Sequence, residues 1–383
     1  MNPRNIRQRI EQFNSQRPVN LQKIKYDKMA KDSFSFFRGS CHLFHEDWPI
    51  ACGASGAIGA KIDRAPQLYI CGDLHLENFG TYKGADRQVY FGINDFDEGR
   101  YAPLTRDITR LAVSVLLVGK MLGLEKADRA AITTSLLSSY RQTLLTGQRQ
   151  NLKEANGIVG DLLVKSAGRS RLDLLKKYLG DVDSDKLQEK ADKILAIADT
   201  QRDQVLAVYR DWAKQQPNPE FYECLDIKQR LAGLGSLGVD RYLLLVVGKG
   251  KHQRYLLDLK EQPALLASPW SSSAQRVLTI QSLRQSPVPG LLGEFLIGQK
   301  SFTIRELQPS QDKITCDQEN ISTDDLQQLV KTVGQVTAWS HLQTDKLAEI
   351  LDYAAGEGWC SIVLEYATKY AKQVKADHQE FAC

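Results

Sequence analysis

The sequence contains no long apolar run and no paired-cysteine motif. No stretch of it approaches the ~18 apolar residues that a membrane span needs, and its start lacks the apolar core of a signal peptide. Its seven cysteines are widely spread and form no C-x-x-C pair of the kind that binds zinc or cycles as a disulfide. We therefore expect a cytoplasmic protein without a membrane partner.

An excess of charge of one sign is also missing. The 383 residues include 50 basic and 46 acidic ones, a net charge of +4 that is too even a balance for a nucleic-acid-binding surface. The remaining composition, 42% hydrophobic and 25% charged, is that of an ordinary globular protein long enough for two lobes. We therefore expect no nucleic-acid partner.

Hydrophobic periodicity divides the chain into four segments. Apolar residues recur with helical spacing from Asp107 to about residue 215, two prolines in "QQPNPEFYE" end that pattern, and strand-like runs follow. The fold class is therefore α+β, with a small lobe built on an antiparallel sheet and a large, mainly helical lobe. The predicted segments are an N-terminal helix with its connector (1–69), a hairpin with the loop "CGDLHLENFG" followed by the helical lobe (70–215), the small β lobe (216–312) and C-terminal helices that complete the large lobe (313–383).

Two acidic motifs follow predicted strands. In "CGDLHLENFG", Asp73 and Asn78 have the D-x-x-x-x-N spacing of a kinase catalytic loop, in which the carboxylate orients the attacking hydroxyl and the amide holds a metal ion. In "INDFDEG", Asp95 stands where a second carboxylate would bind Mg²⁺, and Asp97 could assist with a second ion. The strands that lead into the two motifs are predicted to pair as a hairpin, which would bring these side chains to one rim.

A glycine-rich run, "AGLGSLG", precedes two apolar strands. Gly233, Gly235 and Gly238 follow the G-x-G-x-x-G pattern, and Ser236 lies within it. The glycines lead into a strand, a turn and a further strand that carries Lys260, which is the order of a kinase phosphate loop followed by the lysine of the third strand. We therefore expect the backbone of this loop and Lys260 to contact the phosphates of ATP.

Each motif also has a purely structural interpretation. Acids at strand ends often form turns and caps, and a glycine-rich run before a strand is often only a loop. "HLFHED" (42–47) is interpreted as a solvated turn rather than a metal site, because it has no evident distant partner. His341 is expected to pack and to hydrogen-bond, and Arg38 and Arg305 are expected to meet phosphate or to form structural salt bridges.

Several of these pieces together resemble known enzymes. "GDLHLEN", "INDFDEG" and the later "RYAPLTRDITRLA" resemble the catalytic half of aminoglycoside and choline phosphotransferases, which belong to the protein-kinase-like superfamily. The resemblance implies that Asp107 is a structural acid that braces the catalytic loop, with His75 of the loop in a supporting role. From about residue 26 onward the chain more closely resembles an uncharacterised bacterial family, domain of unknown function 2252, through "FFRG", "CGDLHLENFG", "RDITRLAVS", "GLGSLG", "LDLKE", "TIREL" and "AWSH". That family implies a kinase-like protein without an established substrate.

Departures from ordinary kinases bear on the fold and the mechanism. The catalytic loop precedes the glycine-rich loop and Lys260 in the chain, which implies a circularly permuted protein-kinase-like fold whose N-terminal helix and C-terminal tail pack near each other. The helix "SSSAQRVLTIQSLRQ" has no glutamate to hold Lys260, and Glu261 points to the opposite face of its strand. Asp97 replaces the glycine that follows D-F in protein kinases, which favours a small acceptor.

The resulting hypothesis is an ATP- and Mg²⁺-dependent phosphotransferase that acts on a small-molecule hydroxyl acceptor, with Asp73 and Lys260 as catalytic residues. Two alternatives stay open: a nucleotide-binding pseudoenzyme, favoured by the missing helix acid, and a nucleotidyl transferase. A metallophosphatase that uses "GDLH" as a D-x-H ligand motif is a further alternative, which would need ligands from His252, His341 and His378.

Overall fold

The structure is a computed structural model, and it describes residues 4–53, 62, 64–191, 193–250, 253–264, 270–307, 312–317, 319 and 321–383. Within these ranges it contains thirteen α-helices and ten β-strands, which confirms the α+β class. No helix in the described part of the chain combines the length and the apolar character needed to cross a bilayer.

The helices and strands alternate unevenly along the chain. The helices are α1 (Ile6–Asn14), α2 (Val19–Met29), α3 (Ser33–Gly39), α4 (Cys41–Gly53), α5 (Thr105–Met121), α6 (Lys126–Leu145), α7 (Gly157–Ala167), α8 (Arg171–Leu179), α9 (Asp199–Lys214), α10 (Ser273–Arg284), α11 (Thr323–His341), α12 (Leu347–Ala355) and α13 (Trp359–Ala382). The strands are β1 (Gln67–Ile70), β2 (Phe79–Lys83), β3 (Val89–Ile93), β4 (Arg100–Pro103), β5 (Ile194–Leu195), β6 (Cys224–Arg230), β7 (Arg241–Val246), β8 (Tyr255–Glu261), β9 (Gly293–Ile297) and β10 (Lys300–Glu306).

Helix α5 is the centre of the large helical lobe. Fourteen of its 17 residues are buried, and it packs against α6 and α13. A helix that is apolar on all sides belongs in a core, so its few polar residues need internal partners. Its first turns carry Asp107 and Arg110, which lie below the loop that follows β1.

The small lobe is a six-stranded antiparallel sheet with the strand order β5-β6-β7-β8-β10-β9. The apolar side chains of β7 and β8 alternate between two hydrophobic clusters, one on each face. Helix α9 covers one face through Val205 and Tyr209, and α8 covers the other through Leu175 and Leu179. Two elements of the segment predicted as the helical lobe therefore pack on the sheet.

Helix α10 joins the two lobes. It follows β8, as the sequence predicts, and begins at an N-cap where the Ser272 side chain accepts a hydrogen bond from the backbone N–H of Gln275 at 2.9 Å. Its Ile280 belongs to the core of the helical lobe, while the helix also contacts β9 and β10. The sheet is thereby held against the helical lobe.

The predicted hairpin between the strands of the two acidic motifs is wrong. Strand β1 pairs with β4, and β2 pairs with β3, both antiparallel. The short strands "FGTYK" and "RYAP" lie after the two motifs and supply the partners, and strand pairing is a long-range choice that local patterns specify weakly. The two acidic motifs nevertheless lie close together, because each follows a strand of one of these two-stranded sheets.

The prediction of a solvated turn at residues 42–47 is also wrong. These residues belong to α4, and both of their histidines are buried. His45 Nε2 lies 2.7 Å from the backbone carbonyl oxygen of Gly72, so it holds the loop that follows β1 rather than facing water.

The predicted packing of the N-terminal helix beside the C-terminal tail is confirmed. The backbone N–H of Ile6 donates to Glu380 Oε1 at 2.8 Å, and Arg7 donates to the carbonyl oxygen of Phe381 at 2.9 Å. The two ends of the described chain therefore lie side by side on the helical lobe.

Candidate functional site

The loop that follows β1 is fixed from below by Asp107. Its Oδ2 accepts a hydrogen bond from the backbone N–H of Cys71 at 2.8 Å, and its Oδ1 accepts one from that of Gly72 at 2.9 Å. His341 Nε2 lies 3.3 Å from Oδ2, and the other ring nitrogen of His341 lies 2.8 Å from the Tyr140 hydroxyl. This is the bracing geometry that the resemblance implies for Asp107, and His341 packs and hydrogen-bonds as expected.

Asp73 projects from this loop and pairs with Arg110. Its Oδ1 accepts hydrogen bonds from Arg110 Nε at 2.7 Å and lies 2.5 Å from Nη2. The guanidinium has no solvent exposure and lies over the ring of Phe37, 4.0 Å from the centroid. Burial raises the pKa of Asp73, although the charge of Arg110 acts in the opposite direction. A buried cation thus keeps a basic carboxylate oriented in the site.

Asn78 ties the two acidic motifs together. Its Nδ2 donates to the backbone carbonyl oxygen of Asp73 at 2.9 Å and to that of Asp95 at 3.3 Å. Its Oδ1 is buried and has no hydrogen-bond partner within the described structure. A buried amide oxygen without a partner is costly unless a ligand satisfies it. The Asn78 nitrogen therefore holds the two loops together, while its oxygen has no partner within the described structure.

Lys260 approaches both carboxylates of the second motif. Its Nζ lies 3.8 Å from Asp95 Oδ2 and contacts Asp97 directly. Burial and the charge of Asp97 raise the pKa of Asp95 to about 6, although 51% of its side chain is exposed. Burial would also raise the pKa of Asp97, but Lys260 outweighs it and lowers the value to about 2. Asp97 is therefore the acid that anchors Lys260, in place of a helix glutamate.

Helix α10 contributes an arginine to the acidic segment. Arg276 is buried and donates to the backbone carbonyl oxygens of Asp97 at 2.8 Å and Gly99 at 2.5 Å. Glu261 accepts a hydrogen bond from the backbone N–H of Asp240 at 2.9 Å, so it does not hold Lys260. The helix therefore fixes the acidic segment rather than the lysine.

The glycine-rich loop lies between β6 and β7 and reaches the same acids. Ser236 Oγ lies 3.5 Å from Asp97 Oδ2, and Gly238 has a positive φ of 93°, which favours glycine. Arg17 donates to the carbonyl oxygen of Gly235 at 2.8 Å and also to that of Leu237. The N-terminal segment thus holds this loop in place.

A cavity of about 530 Å³ lies where these elements meet. Seven of the predicted site residues line it: Arg38, Asp73, Asp95, Asp97, Gly235, Ser236 and Gly238. A narrower cleft shares Asp95 and Asp97 with this cavity and has Lys260 and Arg305 in its wall. The acidic segment therefore lines both spaces, and Lys260 lines the narrower one.

Some predicted residues lie behind these spaces, and two of those that line them form ion pairs. Asp107 is buried under the loop, His75 is buried within it, and neither Asn78 nor Gly233 is among the residues that line the cavity or the cleft. Arg38 pairs with Glu77 at 2.6 Å, and Arg305 lies 3.6 Å from Asp258. Both arginines therefore form salt bridges, one of the two outcomes expected for them.

Sequence reasoning misses some residues of the site. Arg110 lies one helical turn after Asp107 in the quoted "RDITRLA", so its spacing is a signal that both face the loop. Arg17 and Lys25 line the cavity but stand in an N-terminal segment without a recognisable motif. Lys25 is fully buried, donates to Asn14 Oδ1 at 3.0 Å, and burial lowers its pKa well below the usual value.

The described residues include no group of three or more histidine, cysteine, aspartate or glutamate side chains that could hold a metal ion. His341 and His378 bond elsewhere, and His252 lies outside the described residues. The dinuclear metallophosphatase alternative therefore has no structural support in this part of the chain.

The described chain is thus a mixed α+β protein in which acidic loops, a lysine-bearing strand and a glycine-rich loop lie close together. The chain belongs to an uncharacterised bacterial family, DUF2252, described as "Uncharacterized protein conserved in bacteria", whose family model matches residues 17–383. No curated protein and no solved structure matches the chain.

Proposed function

We propose that this protein is an ATP- and Mg²⁺-dependent phosphotransferase with a permuted kinase-like fold. One observation carries the proposal: Lys260 lies 3.8 Å from Asp95 and contacts Asp97, although 163 residues separate Asp97 from the lysine. A buried lysine beside acids and a glycine-rich loop is the arrangement that binds the triphosphate and its metal in kinases.

The arrangement of the small lobe supports this fold. The glycine-rich loop joins the first two of three neighbouring strands, Lys260 is on the third, and α10 follows that strand. The adjacent ends of the chain, joined by the contacts of Ile6 and Arg7 with the C-terminal helix, support the permutation.

The donor set fits a magnesium ion. Asn78 Oδ1 is buried without a partner in the described structure, and Asp95, whose backbone Asn78 contacts, has a carboxylate side chain that is half exposed. Mg²⁺ in such sites takes one or two carboxylates and completes its shell with phosphate oxygens and water. When bound, the ion would neutralise charge on the phosphates; Asn78 and Asp95 would hold it.

In the proposed reaction, the acceptor oxygen forms a bond to the γ-phosphorus while the bond to the bridging oxygen breaks and ADP leaves. Asp73 orients the acceptor hydroxyl and accepts its proton, for which its raised pKa is suited. Arg110 keeps this carboxylate in place, and Lys260 and the glycine-rich loop position the phosphates. A cavity of about 530 Å³ suits a small-molecule acceptor.

Turnover of ATP by the purified protein tests this function. We expect Mg²⁺-dependent release of ADP, with water as the acceptor, and a fall of about a hundredfold or more in Asp95→Asn and Lys260→Met. Lys228→Met is the matched control, because Lys228 also lies on the sheet but pairs with Glu189 outside the cavity.

The product identifies the class of reaction. Release of AMP or pyrophosphate instead of ADP would mean nucleotidyl transfer, and tight ATP binding without any product would mean a pseudoenzyme. Turnover that persists at the normal rate in Asp95→Asn would contradict the assigned site.

A further inference from the structure

A second cavity lies in the helical lobe, away from the candidate site. It measures about 540 Å³, opens between α3, α5, α6 and α13, and shares no lining residue with the cavity that contains Asp73. Its volume falls in the range of small-molecule binding sites.

The walls of this cavity are apolar. Phe34, Leu116 and Leu117 are nearly fully buried at its base, and Met121, Leu364 and Ala371 are partly buried hydrophobic side chains that complete the walls. Burying an alkyl chain against such surfaces is favourable, because it removes apolar area from water.

The rim, in contrast, is positively charged. Five basic side chains line the cavity: Lys120, Lys126, Arg129, Lys372 and Lys375. None of the five forms an ion pair with a carboxylate in the described part of the chain. Asp32, the single acid among the described residues of the lining, is the N-cap of α3, where it accepts hydrogen bonds from the backbone N–H and the hydroxyl of Ser35 at 2.8 and 2.7 Å.

Two of these cations lie beside each other. The pKa of Lys120 is lowered mainly by a contact with Lys375, which brings two like charges together across α5 and α13. Neighbouring cations without an anion repel each other, and a bound anion would remove that repulsion.

We propose that this cavity binds an amphipathic anion, a molecule with one alkyl chain and a carboxylate or phosphate head group. The chain lies against Phe34, Leu116 and Leu117, and the head group lies between Lys120 and Lys375. Carboxylate and phosphate share the chemistry that these ammonium groups recognise. The inference stands independently of the proposed phosphotransferase activity.

Calorimetric titration of the full-length protein with decanoate tests this site. We expect one site per chain and a loss of affinity of about tenfold or more in the double variant Lys120→Gln/Lys375→Gln. Lys369→Gln is the matched control, since Lys369 lies on the same helix but outside the cavity and pairs with Glu365 at 2.7 Å. A second variant, Ala130→Trp, fills the apolar part without changing charge and is expected to weaken binding as well.

Further ligands separate the contribution of the alkyl chain from that of the charged head group. They also distinguish a dissolved anion from a membrane lipid as the ligand. Decyl phosphate should bind like decanoate, whereas decanol and inorganic phosphate should each bind at least about tenfold more weakly. Equal binding of decanol, equal loss in Lys369→Gln, or binding only to vesicles of anionic lipid and not to dissolved decanoate would overturn the proposal.

Discussion

At the scale of single residues, the site contains a pair of opposite charges that is largely buried. Arg110 and Asp73 make contact at 2.5–2.7 Å, and the guanidinium has no exposure while the carboxylate side chain keeps 20% of its surface. A buried arginine needs an acceptor for its charge. We therefore expect this pair to contribute to the stability of the fold as well as to the site.

Replacing Arg110 with methionine should therefore destabilise the protein. We expect a loss of about 3 kcal/mol in the free energy of unfolding, because Asp73 is left in a buried place without its cation. Denaturation by urea measures this change, and Arg202→Met, at an exposed position on α9, should change stability by less than about 0.5 kcal/mol.

The double variant Arg110→Met/Asp73→Asn separates the charge effect from the packing effect. Removing both charges should recover at least about 1 kcal/mol relative to Arg110→Met alone. A double variant that is no more stable than the single one would show that Arg110 acts only through its packing on Phe37.

Residues within one short motif can be predicted from the sequence, and their distant partners cannot. Asp73 and Asn78 stand in one loop with a defined spacing, so their proximity follows from local geometry. Arg110 lies 37 residues after Asp73, and Asp97 and Lys260 are separated by 163 residues. Which acid anchors the lysine depends on the packing of two lobes, which no local pattern encodes.

At the scale of elements, the turn after β1 sets the direction of the loop that carries Asp73 and Asn78. Gly72 has a positive φ of 85°, and a Cβ atom at this position would lie 2.0 Å from the backbone oxygen of Glu98. Only glycine combines this backbone conformation with so close an approach. The turn therefore aligns the loop with the second acidic motif.

Substitution of Gly72 by alanine should be much more damaging than the same change at another positive-φ glycine. Gly123 has a φ of 78°, but a Cβ atom at this position would meet nothing within 4 Å, so Gly123→Ala should cost only about 1 kcal/mol. Gly72→Ala should cost at least about 3 kcal/mol, because backbone must also move. Urea unfolding of both variants measures the difference, and equal losses would contradict the importance of this turn.

The elements with a clear internal pattern can be predicted, whereas their pairing can be predicted only in part. The apolar runs of β7 and β8 and the serine cap of α10 are local signals, and the structure contains these elements where the sequence indicates them. The short strands β2 and β4 have weak patterns, which is why the sequence predicts the wrong partners for the hairpin. Pairing of short strands depends on tertiary contacts more than on propensity.

At the scale of the whole molecule, two lobes bring distant segments to a cavity and an adjoining cleft that share Asp95 and Asp97. The helical lobe supplies the acidic loops, the sheet supplies Lys260 and the glycine-rich loop, and the N-terminal segment supplies Arg17 and Lys25. A sequence with balanced charge overall thereby concentrates opposite charges in one place, as sites that bind charged ligands do.

A crystal structure with a non-hydrolysable ATP analogue and Mg²⁺ tests the central claim most directly. We predict that the triphosphate lies between the glycine-rich loop and Lys260, with the metal ion bound by Asn78 and Asp95. A nucleotide bound elsewhere on the protein, or a metal ion that contacts neither of these residues, would contradict the account.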